Sequence, residues 1–345
     1  MALSFPFRFA VAMFGEDGSN IGIVPVVRDF EPTLEWARFY LQRRGLLDLD
    51  GNGCASAMIP IFDPTLGEPY CRGYRIQFTP PERSQVAVDF PTTHLREYSA
   101  AVASRFVVQK KLREGEFYRY VLVAHPAPFE SPRAAGLSVT NVSPSLPAQD
   151  ASLEDFLERS TPSGVIDSED MPVFVSRRVL DEAAVRTHAE EGTETGGILI
   201  GKLWRDANAL EIFVEITAMI PAEHTNGTNV KLTFTPQTWA AADAALRLRR
   251  RGELFGGYLH SHPVKTWCVT KGCTLEAQKK CHLAKDFFSA DDEAVMRAAF
   301  PCAYHIAIVA NDTAFTDITF SMFGNRKGSI QSRGFYVLEE TNHGA

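Results

Sequence analysis

Apolar residues alternate with smaller or polar ones at Phe7, Phe9, Val11 and Met13, the period-two pattern of a strand with one buried face. Further β-like runs over 21–27, 74–78 and 117–123 are interleaved with two stretches of helical period, 33–47 and 95–112. Pro32 suits the start of the first. Tyr98, Ala101, Val102 and Phe106 share one face of the second. This interleaving predicts a separate N-terminal α/β domain over residues 1–130.

From 131 the composition turns to Ser, Pro, Ala and Thr with few charges, which predicts a linker over 131–170, with a short helix near 151–159 inside it. The second half opens on a strand at 172–175 and a helix capped by Ser176. Strands follow at 196–204, 210–220 and 230–234, a helix at 236–251 beginning with Pro236, and a strand at 254–260. A helix starting at Ser289 and β-runs at 302–309 and 315–323 complete a mixed sheet flanked by helices over 171–345.

The 345 residues ask for two domains, and 45% hydrophobic with 22% charged residues is ordinary globular usage. A net charge of -7, from 35 basic against 42 acidic residues, offers no phosphate-seeking surface, so nucleic acid is not an expected partner. No run reaches the roughly 20 apolar residues of a membrane span, and the first residues lack a secretory pattern, so a cytoplasmic location is expected. Six cysteines are too few for a disulfide scaffold. Cys54, Cys71 and Cys302 read as reduced core residues, whereas Cys268, Cys273 and Cys281 crowd together, which points to metal.

The chemistry concentrates around His260-Ser261-His262-Pro263. Two histidines at i and i+2 of a continuing strand share a face and can share a metal. Ser289-Ala290-Asp291-Asp292 adds a third ligand, since Ser289 caps a helix and Asp292 projects from its first turn. Two imidazoles, a carboxylate and an open position make a tetrahedral catalytic zinc. Such a site needs a base beside the open position, and Glu194, just before Thr195-Gly196-Gly197, is the candidate. Gly196, Gly197, Gly256 and Gly257 leave the strand surface bare for neighbouring backbone or an extended peptide.

The ordered set of Glu194, His260-Ser261-His262-Pro263 and Ser289-x-x-Asp292 resembles the JAMM (JAB1/MPN+) zinc metallopeptidases over less than half of the chain. The resemblance implies an MPN/JAB-like α/β fold for 171–345, with His260, His262 and Asp292 holding Zn2+, Glu194 as general base and acid, and Ser289 stabilising the oxyanion. It implies a deubiquitinase-like isopeptidase that removes ubiquitin or a ubiquitin-like protein from conjugates, or trims its tail. It further implies a bacterial ubiquitin-like modification pathway of the kind also found in antiviral operons, with activating and conjugating enzymes as associates. Residues 1–130 would then recruit the modifier or the target. The rival readings are a non-catalytic MPN-type scaffold, and a peptidase of small peptides or of a sulfur-carrier protein.

The chain departs from that family in the 26 residues, 263–288, between His262 and Ser289, where the family's pattern has far fewer. This inserted segment, about 264–287, carries Cys268, Cys273, Cys281 and His282, an inventory for a second, structural zinc, because a short insertion with no apolar core needs a staple. Single histidines elsewhere, among them His94, His224 and His305, are given no role. The basic run at 247–251 reads as a solvated helix end.

Overall fold

A computed structural model of the chain describes residues 3–50, 54–81, 83–128, 145–190, 192–222, 234–281, 283, 287–313 and 317–339. The protein is a mixed α/β chain of two compact units, one formed by 1–41 and 46–145, the other by 42–45 and 146–345.

The first unit contains β1 (Leu3–Ser4), β2 (Phe7–Gly15), β3 (Asn20–Pro25), α1 (Glu31–Arg43), β4 (Ala55–Phe62), β5 (Tyr70–Thr79), β6 (Val86–Pro91), α2 (Arg96–Val108) and β7 (Tyr118–Pro126). Its sheet runs β1-β4-β5-β7-β2-β3, with β6 paired to β5. The alternation seen at Phe9, Val11 and Met13 puts all three in the core. Phe9 packs with Leu34, Ala37 and Leu41 of α1, while Val11 and Met13 pack with Val102 and Phe106 of α2. Burial of this apolar surface, worth about 25 cal/mol per Å2, is what holds the two helices to the sheet. The strands β4 and β6 were not expected.

The second unit contains β8 (Gln149–Asp150), α3 (Leu153–Glu158), β9 (Ser160–Ser163), β10 (Val173–Ser176), α4 (Arg177–Ala189), β11 (Gly196–Asp206), β12 (Glu211–Pro221) and α5 (Pro236–Arg249). It continues with β13 (Leu254–His262), α6 (Val264–Thr270), α7 (Leu275–Lys279), α8 (Ala290–Ala299), β14 (Ile306–Asn311), β15 (Thr319–Arg326), β16 (Ser329–Arg333) and β17 (Phe335–Leu338). Its sheet runs β16-β15-β14-β13-β11-β12-β10-β17-β9, with β8 paired to β11. The strand expected at 230–234 falls mostly outside the described residues, as do 315–316.

The expected linker at 131–170 and the boundary at 171 need correction. Residues 129–144 lie outside the described residues, but 145–170 are folded into the second sheet. The reason is Phe156 on α3, which is buried edge-on against Phe174 and Phe213 at centroid separations of 5.2 and 5.0 Å. Residues 160–163, inside the expected linker, pair antiparallel with β17. Among the described residues no helix is long and apolar enough to cross a membrane.

Candidate metal centre

Strand β13 carries the two histidines to the middle of the sheet, between β11, where Gly196 registers with His260, and β14, where His260 registers with Val309 and His262 with Asn311. Such a central strand leaves no edge to solvent, and His260, Ser261 and His262 are all buried. The glycines serve this close packing. A Cβ on Gly197 would stand 2.4 Å from Ile220 O, and one on Gly257, at φ +144, would stand 1.7 Å from Ile306 O. Neighbouring strands therefore fill the space at the Cβ positions of Gly197 and Gly257.

Ser289 caps α8 in a reciprocal arrangement. Asp292 N donates to Ser289 Oγ at 3.1 Å, while Ser289 N and Oγ donate to Asp292 Oδ2 at 2.9 and 2.7 Å. The carboxylate is thereby locked with Oδ1 facing His260 Nε2 at 3.2 Å, and Oδ2 lies 3.9 Å from His262 Nε2. The two Nε2 atoms are 3.0 Å apart. Asp292, not its neighbour Asp291, completes the group, and the three ligand atoms lie within 4.8 Å of one another.

This donor set fits a zinc ion. Bonds of about 2.0–2.1 Å at tetrahedral angles separate two imidazole nitrogens by roughly 3.4 Å, close to the spacing found. Burial, followed by the neighbouring His260 charge, pulls the His262 pKa down to about 3, so its imidazole is neutral with a lone pair to give. Burial pushes the Asp292 carboxyl up, but the His260 hydrogen bond and charge, with the Ser289 hydrogen bonds, outweigh it and hold the group below the usual carboxylate range. The neutral His262 imidazole and the Asp292 anion, buried together beside His260 Nε2, match what a divalent cation requires. The Nδ1 atoms of both histidines are buried and have no hydrogen-bond partner among the described residues.

Aromatic rings fix the imidazoles. Tyr258 stacks on His260 at 5.5 Å, and its phenol donates to Asp292 O at 3.1 Å; burial, then the charges of Asp292 and Glu194, push that phenol far up, so it stays a donor. Trp267 and Phe287, from the two ends of the inserted segment, approach His262 at 5.1 and 5.6 Å. The insertion thus leaves Asp292 in reach of the histidines and adds walls. A cavity of about 830 Å3 is lined by Glu194, His262, Ser289 and Asp292 together with Trp267, Phe287, Val295 and Ala298.

Glu194 is buried at the mouth of β11, and its position follows from Ser261, whose role the sequence reading missed. Ser261 Oγ accepts Thr195 N at 2.9 Å, and Ser261 N donates to Thr195 O at 2.7 Å. The hydroxyl between the two histidines therefore clamps the residue that follows Glu194. The signal that would have found it is a small hydroxyl residue pointing opposite to both histidines on a strand. Ser289, expected at the oxyanion, here directs its hydroxyl proton to Asp292.

Of the inserted set, Cys268 is buried and Cys273 and Cys281 are partly so, all three as free thiols; His282 lies outside the described residues. Cys54 and Cys71 are buried in the first unit's core. His305 is packed under Phe300, accepting Cys302 N at Nδ1, and burial pulls its pKa down to about 4.

No family model matches this sequence, and no curated protein does. Among solved structures, the chain is similar to protein DSY2949 from Desulfitobacterium hafniense, at 16% identity and a TM-score of 0.34, over 50% of this chain and 96% of that one.

Proposed function

We propose that the 146–345 unit is a JAB/MPN-like zinc metallopeptidase acting as an isopeptidase, with ubiquitin or a ubiquitin-like protein, carried on a target through its C-terminus, as substrate. The observation that supports this reading is the convergence of His260 Nε2, His262 Nε2 and Asp292 on one point, with Glu194 on the wall of the same cavity. The ordered motif and this convergence are independent. The first is a matter of spacing in sequence, and the second of strand register and a helix cap.

His260, His262 and Asp292 would hold the ion, which when bound supplies a water acidified toward pKa 7 and polarises a carbonyl. Glu194 takes the proton from the attacking water and passes it to the leaving lysine amine, so that the amine departs neutral. Ser289 holds the Asp292 carboxylate; its hydroxyl reaches a developing oxyanion only by turning from Oδ2. Trp267, Phe287 and the α8 residues Val295 and Ala298 offer an apolar wall to an extended tail. The first unit is assigned the recruitment of modifier or target.

The test is incubation of the full chain, loaded with zinc, with isopeptide-linked ubiquitin dimers and with a ubiquitin-like protein joined to a lysine peptide, read by mass spectrometry. Release of an intact modifier ending at its C-terminal carboxylate is expected. A zinc-loaded chain that cleaves short free peptides and no modifier conjugate overturns the substrate class, and one that cleaves nothing favours the scaffold reading.

A further inference from the structure

The contacts of Asp292 fix where the imidazole protons sit. An ionised carboxylate only accepts, so the 3.2 Å approach of His260 Nε2 to Asp292 Oδ1 puts a proton on that nitrogen. His262 Nε2, 3.0 Å from the same atom, then turns a lone pair to it, and the His262 ring carries its own proton on Nδ1. That donor is buried and has no hydrogen-bond partner among the described residues, a costly state in a protein interior. An orphaned acceptor stands on the next strand. Asn311 of β14 is fully buried, and its Oδ1 has no partner among the described residues. β13 and β14 run parallel with His262 in register with Asn311, so the two side chains leave the same face of the sheet side by side. The register is held just beyond, where Asp312 N donates to His262 O and Lys265 N to Asp312 O, both at 3.0 Å. His260 has no such neighbour, since it registers with Val309 on β14 and with Gly196 on β11.

We infer that Asn311 is a positioning residue of the metal centre, its carboxamide oxygen accepting the Nδ1 proton of His262 and so keeping the Nε2 lone pair of that ring turned to the ion. The inference rests on the metal centre of the proposed function. Oδ1 and Nδ1 are each bonded to Cγ, on strands about 4.8 Å apart, so a turn of the carboxamide about its soft last torsion brings the two within hydrogen-bond reach. The other end of the carboxamide is already engaged, Asn311 Nδ2 donating to Ser321 Oγ at 3.3 Å, a bond long enough to follow that turn. Ser321 registers with Val309 on β15, so it belongs to the same face as Asn311. A partner on the far nitrogen of a ligating histidine fixes the tautomer and the ring together and makes the ligand more basic. Asn311 acts through His262 alone and has no part in moving the reaction's protons.

The test is zinc affinity, measured by competition with a chromophoric chelator on the full chain and on its Asn311→Leu and Asn311→Asp variants. Asn311→Leu keeps the size of the side chain and removes the acceptor, and its affinity should fall about 10–100-fold. Asn311→Asp keeps an acceptor oxygen, and its affinity should stay near that of the parent. A residue that only filled the core would give the reverse order, because a buried carboxylate is tolerated less well than a buried leucine. Asn311→Leu binding zinc as the parent does, or Asn311→Asp binding as weakly as Asn311→Leu, overturns the inference and leaves the metal centre standing. A parent chain that binds no zinc overturns the metal centre and this inference with it. Where circular dichroism shows the variants to be unfolded, nitrogen-15 correlation spectra of the histidine rings in the metal-free parent decide, with the His262 signals identified by their loss in His262→Ala. A proton on His262 Nδ1 upholds the inference, and one on Nε2 overturns it.

Discussion

Ser261 and Thr195 are joined by two hydrogen bonds, the Ser261 hydroxyl accepting Thr195 N at 2.9 Å and the Ser261 N–H donating to Thr195 O at 2.7 Å. One residue thus spaces the two histidines and anchors the strand end that presents Glu194. Ser261→Ala leaves a partly buried N–H without its acceptor, at a cost of about 1–3 kcal/mol in stability. In a cleavage assay kcat should fall while KM and zinc content stay, and Ser261→Thr, which keeps the hydroxyl, should restore kcat. Unchanged kcat in Ser261→Ala would show that the clamp does not position Glu194.

Glu194→Gln removes the proton acceptor but keeps the shape of the cavity wall. Activity should drop by about 10²–10⁴-fold with zinc still bound in full. A variant that loses zinc in proportion to activity would instead make Glu194 a ligand.

Ser289→Ala should weaken both a helix and a carboxylate's orientation. The lost cap costs about 0.5–2 kcal/mol, read from urea unfolding of the metal-free chain, and zinc affinity should fall about 10–100-fold because Asp292 Oδ2 loses the hydroxyl that holds it. Competition with a chromophoric chelator measures the affinity, and an unaltered value would refute the orienting role.

The pair of strand histidines and the capped aspartate were legible because each is set by local rules. Strand period puts His260 and His262 on one face, and helix capping puts Asp292 beside Ser289. What was not legible depends on distant partners. Gln149–Asp150 and Ser160–Ser163 are too polar to read as strands, and they pair because Phe156 docks on Phe174 and Phe213 from across the sheet. Likewise β16 (Ser329–Arg333) is polar at every position but Ile330 and is defined by β15 rather than by its own pattern. The Ser261 clamp joins positions 66 residues apart, a relation no local period displays.

His305 gives the second unit a pH dependence of its own. Its folded pKa of about 4 lies below the 6.5 of the free side chain, so between these values the unfolded chain binds the proton and the folded chain does not. The stability attached to neutral His305 is complete above pH 6.5 and is lost as pH falls toward 4, on the order of 3 kcal/mol in total. Urea midpoints at pH 7 and pH 5 should differ less in His305→Gln than in the parent chain. Equal differences in the two proteins would show that another group carries the acid sensitivity.

The central claim is that His260, His262 and Asp292 hold the ion by which Glu194 hydrolyses an isopeptide bond. The direct measurement is the rate of cleavage of isopeptide-linked ubiquitin dimers or of a ubiquitin-like conjugate by the full chain, before chelation, after chelation, and after zinc is returned, with His262→Ala alongside. The account predicts cleavage that disappears on chelation, returns with zinc, and is absent from His262→Ala throughout. Cleavage that persists in the chelated chain or in His262→Ala would contradict it.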